Sequence, residues 1–357
     1  MKKMVLIIVG IVVVLALAVI GFFWYMMGRP LYQPGMVRLA KDLRAPLAPP
    51  EQSTEGDFWS VENDIRLHYY SVGNGKNVLV VHGGPGFPMS EPMRGLQPLT
   101  VQYKFHYYDQ RGCGQSTRPF DRLSSRNFLD NVTSLDKTLG LGAQIADIER
   151  IRQILGEDSL IIVGHSFGGF LASMYAAEFP DRVKGLILVA PANLLVMPAE
   201  DGGLFEEIKR RLPENMKAEY AEFLKSYFDY GGIFSKSEAD LASLNAKIAK
   251  YYWAASGSLA APSQAGDIKD AGGWMVQAMY FSMGRRHDYR KSLAAVKAPV
   301  LVIHGENDLQ PERASRSCAD AFPNSRFHLI KSAGHFSFNE QPAEFAAVVG
   351  EFLNTLR

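Results

Sequence analysis

The sequence predicts an α/β fold in which a mainly parallel sheet carries helices on both faces. Two observations lead there. Six short runs, NVLVVHGG, KFHYYDQRG, LIIVGHS, GLILVAPA, APVLVIHGEND and RFHLIKSAGH, hold four to six aliphatic or aromatic residues each, as expected of strands buried on both faces. Stripes of helical period lie between several of them: Ile148, Ile151 and Leu155 in ADIERIRQILG, then Phe345, Val348, Val349, Phe352 and Leu353 near the C-terminus. Strand and helix therefore alternate, the pattern of a sheet built through crossover helices.

Taken in order, the chain opens on different material. Met4 to Met27 is a run of 24 residues without a charge, roughly 36 Å as a helix and enough to span a bilayer core. A cleaved signal peptide has a shorter apolar region, about 7 to 15 residues, and ends in small residues. This run ends in Phe22, Phe23, Trp24, Tyr25, Met26 and Met27, which suit an interfacial belt. The expectation is an uncleaved N-terminal transmembrane helix over residues 1–28, a single-pass anchor meeting lipid through residues 4–27. Lys2 and Lys3 favour a cytoplasmic N-terminus and an extracytoplasmic catalytic domain, although Arg29, Arg38, Lys41 and Arg44 weaken that charge bias. Residues 29–56, ending APLAPPEQSTEG, read as a linker or a strap over the domain.

The core begins at residue 57. FWSVENDIRLHYYSVGNG reads as a strand pair joined by Glu62-Asn63-Asp64, with Gly73-Asn74-Gly75 as the next turn. Alternation runs to residue 192 and resumes over 297–357. Between them, residues 193–296 show no buried strand but repeated helical stripes. Tyr220, Phe223, Leu224, Tyr227 and Phe228 precede Gly231-Gly232, and Leu241, Leu244, Ile248, Tyr251 and Tyr252 follow an N-cap at Ser237. A helical cap inserted between sheet strands belongs over the C-terminal edge of the sheet, where α/β proteins bind ligands.

In a parallel sheet, residues just past the strand C-termini converge. Ser166 follows LIIVGH, Asp308 follows VLVIHGEN and His335 follows FHLIKSAG. A serine hydroxyl needs a base to take its proton; an imidazole does so, and a carboxylate fixes the imidazole's tautomer and stabilises its charged form. The order Ser, Asp, His is that of hydrolases whose nucleophile sits on a strand-to-helix elbow. Gly164 and Gly168 give that turn its room. Glu306, two residues nearer the strand, is a rival acid. The N–H of Phe167 at the start of the next helix and the N–H of Gly84 in HGGPG (82–86) are the candidate oxyanion donors. His82 and Gly83 are candidates to line the substrate site.

Other chemistries are not expected. With 38 basic and 37 acidic residues the net charge is +1, and no block of like charge invites nucleic acid. No Gly-x-Gly-x-x-Gly follows a strand and no Gly-x-x-x-x-Gly-Lys-Ser/Thr occurs, so no nucleotide cofactor is expected. No His-Glu-x-x-His or paired Cys-x-x-Cys offers a metal site, and two cysteines, Cys113 and Cys318, are too few for a disulfide framework.

HGGPG (82–86), DQRGCGQS (109–116), ADIERIRQILG (146–156), GHSFGG (164–169), GEND (305–308) and AGH (333–335) together resemble the proline iminopeptidases, serine aminopeptidases of the α/β-hydrolase fold. The resemblance runs from about residue 55 to the C-terminus. It implies Ser166, Asp308 and His335 as triad, Gly84 and Phe167 as oxyanion hole, and release of an N-terminal residue, preferably proline, from short peptides. Two departures stand out. The family elbow usually reads Gly-Gly-Ser-Trp-Gly, whereas this one carries His165 and Phe167. The family cap tends to carry a Trp-Glu pair whose carboxylate holds the substrate amine, whereas YYWAASGS has Trp253 with no glutamate beside it. An ammonium buried without a partner is costly, so Glu200, Asp201, Glu206 or Glu207 would have to take that place. Without such an acid the reading becomes a carboxylesterase, lipase-like, amide or lactone hydrolase. A reading of another class is a ligand-binding protein that keeps the fold without turnover. The oligomeric state is left open.

Overall fold

The computed structural model describes residues 14–15, 28–53, 56–200, 202–257 and 270–356. Its centre is an eight-stranded sheet. β1 (Phe58–Glu62) and β2 (Ile65–Gly73) form an antiparallel hairpin turning at Asn63-Asp64, and β2 pairs antiparallel with β4 (Tyr103–Tyr108). From there the sheet is parallel: β3 (Lys76–Val81), β5 (Leu160–His165), β6 (Val183–Val189), β9 (Val300–Gly305) and β10 (Ser325–Ile330). The two-residue β7 (Val196–Met197) and β8 (His287–Asp288) pair only with each other. The order across the sheet is β1-β2-β4-β3-β5-β6-β9-β10.

The uninterrupted apolar runs have a physical cause in the layers around these strands. Leu79 and Val81 of β3 face one buried cluster while Val78 and Val80 face the other, because successive side chains of a strand point to opposite faces. The first cluster is completed by α1 (Phe128–Leu139), α2 (Leu141–Ile154) and α3 (Phe167–Glu178). The second is covered by α12 (Pro342–Thr355), whose Phe345, Val349, Phe352 and Leu353 are buried. Proline at its first turn suits a helix start, where the missing N–H costs no helical bond.

Between β6 and β9 the chain is helical: α4 (Gly203–Arg211), α5 (Glu214–Tyr227), α6 (Glu238–Ala246), α7 (Ile248–Ser256), α8 (Trp274–Met283) and the single-turn α9 (Arg290–Leu293). Ser237 opens α6 with a capping box, its hydroxyl accepting the N–H of Asp240 (3.2 Å) and the Asp240 carboxylate accepting the N–H of Ser237 (2.9 Å). After β9 come α10 (Glu312–Asp320), β10, and the short α11 (Ser337–Glu340) ahead of α12.

One expectation at the N-terminus changes. Crossing a bilayer takes about 20 consecutive apolar helical residues, and no helix among the described residues is long and apolar enough to do so. The transmembrane helix, the lipid contact and the single-pass, extracytoplasmic placement that rested on it are therefore withdrawn. Of residues 4–27 only Val14 and Leu15 are described; the others lie outside the described residues. The proline-bearing segment that follows is a docked strap. Tyr32 and Val37 are buried. The Glu178 carboxylate, at the end of α3, accepts the Tyr32 hydroxyl (2.9 Å) and the N–H groups of Gly35 (2.8 Å) and Arg38 (3.0 Å). Leu31 and Tyr32 also donate their N–H groups to the carbonyl of Ser282 in α8 (2.9 and 3.0 Å).

One buried carboxyl yields a stability prediction. Burial and the charge of Asp42 push Asp136 of α1 up from 3.8 to about 6, against a hydrogen bond from Ser282 and the charge of Lys137. Because the folded value lies above the unfolded one, the proton favours the fold at low pH, and this contribution is lost as pH rises through about 6. Asp136→Asn, which cannot ionise, should stabilise the protein by on the order of 2 kcal/mol at pH 8 and by less at pH 5. Urea unfolding at both pH values checks this, and an equal gain at the two would refute it.

Candidate active site

β5 delivers the chain to Ser166 at φ 54° and ψ −120°, and α3 starts at the next residue. A positive φ is uncommon for a residue with a Cβ and costs about 1–3 kcal/mol, so the surroundings must impose it. They do. Ser166 donates its N–H to the carbonyl of Val189 (2.9 Å), and its own carbonyl accepts the N–H groups of Gly169 and Ala192 (2.9 Å each). A Cβ on Gly168 would lie 2.1 Å from the Val81 carbonyl oxygen, and one on Gly164 would lie 2.5 Å from that of Gly168. Only glycine lets the elbow close against β3 and its own helix. As first residue of α3, Phe167 has no helical carbonyl four residues back, and its N–H lies at the positive end of the helix dipole.

The loop after β3 reaches the same point. A Cβ on Gly83 would meet the Ser166 Cβ at 2.9 Å, and Gly84 holds φ +121°, a conformation glycine adopts without strain. His82 lies behind this loop. Its Nδ1–H donates to the Gly83 carbonyl (2.9 Å), its Nε2 accepts the Gln110 N–H (3.1 Å), and Gln110 Nε2 returns a bond to the His82 carbonyl (2.8 Å). Burial holds its pKa down, so the ring is a neutral brace for the loop and is not among the cavity-lining residues.

Past β9, the fully buried Asp308 sets Oδ2 2.8 Å from His335 Nδ1 and takes the Gln310 N–H on Oδ1 (2.9 Å). Burial alone would raise its pKa; the His335 imidazole, its hydrogen bond, His304 and the Gln310 N–H outweigh this and hold the carboxyl below the usual range. Glu306 turns elsewhere and accepts the Ser332 N–H (3.1 Å). Ser166 and His335 line one cavity with Gly83, Gly84 and Phe167. Their side chains are not hydrogen-bonded to each other, and such bonds commonly tighten only when substrate is present.

The cavity measures about 2240 Å³. The β6–β9 segment supplies an aromatic wall that includes Phe205, Tyr227, Phe228, Tyr252, Trp253 and Tyr280. Trp253 stacks on Phe336 at 5.4 Å between ring centroids. The acids considered for a substrate amine are not in this wall. Glu207 is buried on α4 beneath Arg210 and Arg211, and Glu206 points to solvent beside Lys209 (3.8 Å). Glu200 is exposed and is not among the cavity-lining residues, and Asp201 lies outside the described residues. The described carboxylates that do line it are Glu91, Asp109, Asp270 and Glu340. Asp109 Oδ2 is taken by His68 Nδ1 (3.1 Å) and the Gln115 N–H (2.9 Å). Asp109 stands in DQRGCGQS, whose strand-end position was the one available signal; Glu91 and Glu340 carry none. No cluster of three or more metal-ligating side chains occurs among the described residues.

The sequence matches the alpha/beta hydrolase fold family over residues 76–342. The chain belongs to that family. Among relatives with curated names, the proline iminopeptidase of Heyndrickxia coagulans is 28% identical over 297 residues, covering 80% of this chain and 92% of the relative. That of Clostridium botulinum is 27% identical over 309 residues, covering 80% and 94%. The resemblance drawn from the motifs is thus borne out. Among solved structures, the proline iminopeptidase of Mycobacterium smegmatis aligns with a TM-score of 0.56 at 20% identity, covering 82% of this chain and 96% of that one. A thermophilic esterase from Thermogutta terrifontis aligns at 0.52 and 21%, covering 86% and 99%. At such identities these two structures speak for the fold alone.

Proposed function

We propose that this α/β hydrolase is a serine hydrolase working through an acyl-enzyme, and that it releases N-terminal proline or a similar residue from short peptides. The observation that carries the chemistry is the hydrogen-bonded His335–Asp308 pair in the loops around the strained elbow at Ser166. Ser166 Oγ attacks the scissile carbonyl as His335 Nε2 takes its proton, and Asp308 holds the ring by Nδ1 and stabilises its charged form. The N–H groups of Gly84 and Phe167 receive the oxyanion. His335 then protonates the leaving amine, and water repeats the sequence on the acyl-enzyme. The peptide substrate rests on the curated relatives, whose shared name is proline iminopeptidase.

One observation favours a second reading. Among the described residues, the β6–β9 segment brings a single carboxylate, Asp270, to the cavity, which suits an ester or lactone as well as a charged amine. A prolyl arylamide, its N-acetylated form and a short acyl ester separate the two. The aminopeptidase should cleave the free prolyl arylamide at least tenfold faster than the acetylated one, since an amine-binding carboxylate is worth about 1.4 kcal/mol or more. Ester cleavage with no cleavage of either amide would replace the peptidase with an esterase.

A further inference from the structure

We infer that His165 and Glu340 are positioning residues that clasp the backbone on both sides of His335 and fix the general base relative to the nucleophile. The inference rests on the reading of Ser166 and His335 given above.

The need for a clasp follows from the chain path. His335 stands in a loop between the end of β10 and the short α11, where no strand or helix ladder fixes its backbone. The bond to Asp308 holds one ring nitrogen and leaves the main chain underneath unspecified. Three consecutive residues of that main chain are nevertheless held by two side chains. Glu340 Oε2 accepts the N–H of Gly334 and Oε1 accepts the N–H of Phe336 (3.2 Å), so one carboxylate brackets the histidine with charge-assisted bonds. The carbonyl of His335 itself lies 3.0 Å from His165 Nε2. A carbonyl can only accept, so that nitrogen carries the proton.

His165 directly precedes Ser166, so the backbone that presents the nucleophile also grips the base. Its ring packs against those of His335 (4.7 Å), Phe338 (5.1 Å) and Phe336 (5.2 Å). A Cβ on Gly83 would lie 3.4 Å from its Nδ1, so the same ring also borders the oxyanion loop. Burial, helped by the neighbouring His335 ring, lowers its pKa to about 3. The ring therefore stays neutral and keeps its donor while His335 takes and gives its proton.

The test compares His165→Phe, which keeps a ring and loses the donor, with Glu340→Gln and Glu340→Ala, which lose one and both carboxylate acceptors. In the full chain, His165→Phe and Glu340→Ala should each lower kcat by about 10- to 100-fold, the usual effect of a misplaced catalytic group, with KM within about twofold. Glu340→Gln should recover part of the loss. Fluorophosphonate labelling of Ser166 should slow by the same factors. Loss of fold alone would lower the reactive fraction and leave the rate per reactive molecule unchanged. A second readout needs no turnover: the downfield proton of the His335–Asp308 bond, seen by NMR in the wild type, should broaden or move in the variants. Wild-type labelling rates with an unchanged resonance would overturn the clasp. A wild type that keeps the resonance but neither labels nor turns over would overturn the nucleophile reading, and the resonance in the variants would then decide the clasp alone.

Discussion

Ser166→Ala is expected to lower kcat by on the order of 10⁴ to 10⁶ and to leave the melting temperature nearly unchanged. The loss is large because no other described group replaces the attacking oxygen, and residual rate comes only from the oxyanion donors and from binding. The fold is spared for identifiable reasons. The Ser166 backbone carries the bonds that hold the elbow, from its N–H to Val189 and from its carbonyl to Gly169 and Ala192, and alanine keeps all of them. Alanine also suffers the same strain at φ 54° as serine does. Steady-state kinetics with a prolyl arylamide, together with a thermal melt, checks both halves. More than a tenth of wild-type kcat in the variant would remove Ser166 from the chemistry.

Asp308→Asn should be next in size, lowering kcat by about 10³ to 10⁴ near neutral pH. An amide at this position can hold the imidazole in the wrong tautomer, and it lacks the charge that stabilises the imidazolium. A stability effect accompanies the kinetic one. The folded pKa of Asp308 lies below the ordinary 3.8, so its pairing favours the fold above the unfolded value and ceases to do so as pH falls through the depressed one. The variant should therefore melt lower than wild type at pH 7, with a gap that narrows on strong acidification. A loss in kcat below tenfold would transfer the acid role to Glu306, despite its present bond to Ser332.

The strands were legible because parallel strands buried on both faces lose the polar alternation that would otherwise be confused with a surface strand. Val78 to Val81 send side chains into two different clusters, and the sequence records this as a continuous apolar run. The elbow was legible for a steric reason, since few sequences place glycines two residues either side of a serine at the end of such a run. The side on which a loop residue lies is another matter. Nothing in HGGPG tells that His82 turns inward to brace the loop while Gly83 and Gly84 face the cavity. That outcome depends on Gln110, 28 residues away. The cap acids were misplaced because the resemblance implies an amine-binding carboxylate in the β6–β9 segment, where Glu206 and Glu207 face Lys209, Arg210 and Arg211 instead of the cavity. Three of the four described carboxylates that reach this cavity, Glu91, Asp109 and Glu340, come from outside the β6–β9 segment, and chain distance hides them. The strap was half legible: its prolines marked a linker or a strap, but docking on Glu178 is a contact across more than 140 residues.

That strap bears on where the chain is cut for expression. A truncation starting at the first strand would take away the Tyr32 hydroxyl and the two main-chain donors that serve Glu178, and would open to water a carboxylate that the intact chain buries completely. Tyr32 and Val37 would leave the core with the strap, and the lost burial of two such side chains costs about 3 kcal/mol, a large fraction of what holds a domain together. The same cut would sever the tie to Ser282 and so loosen the aromatic roof from the sheet below it. Recombinant versions should begin no later than Gly28; shorter ones would give material whose poor behaviour says nothing about the enzyme.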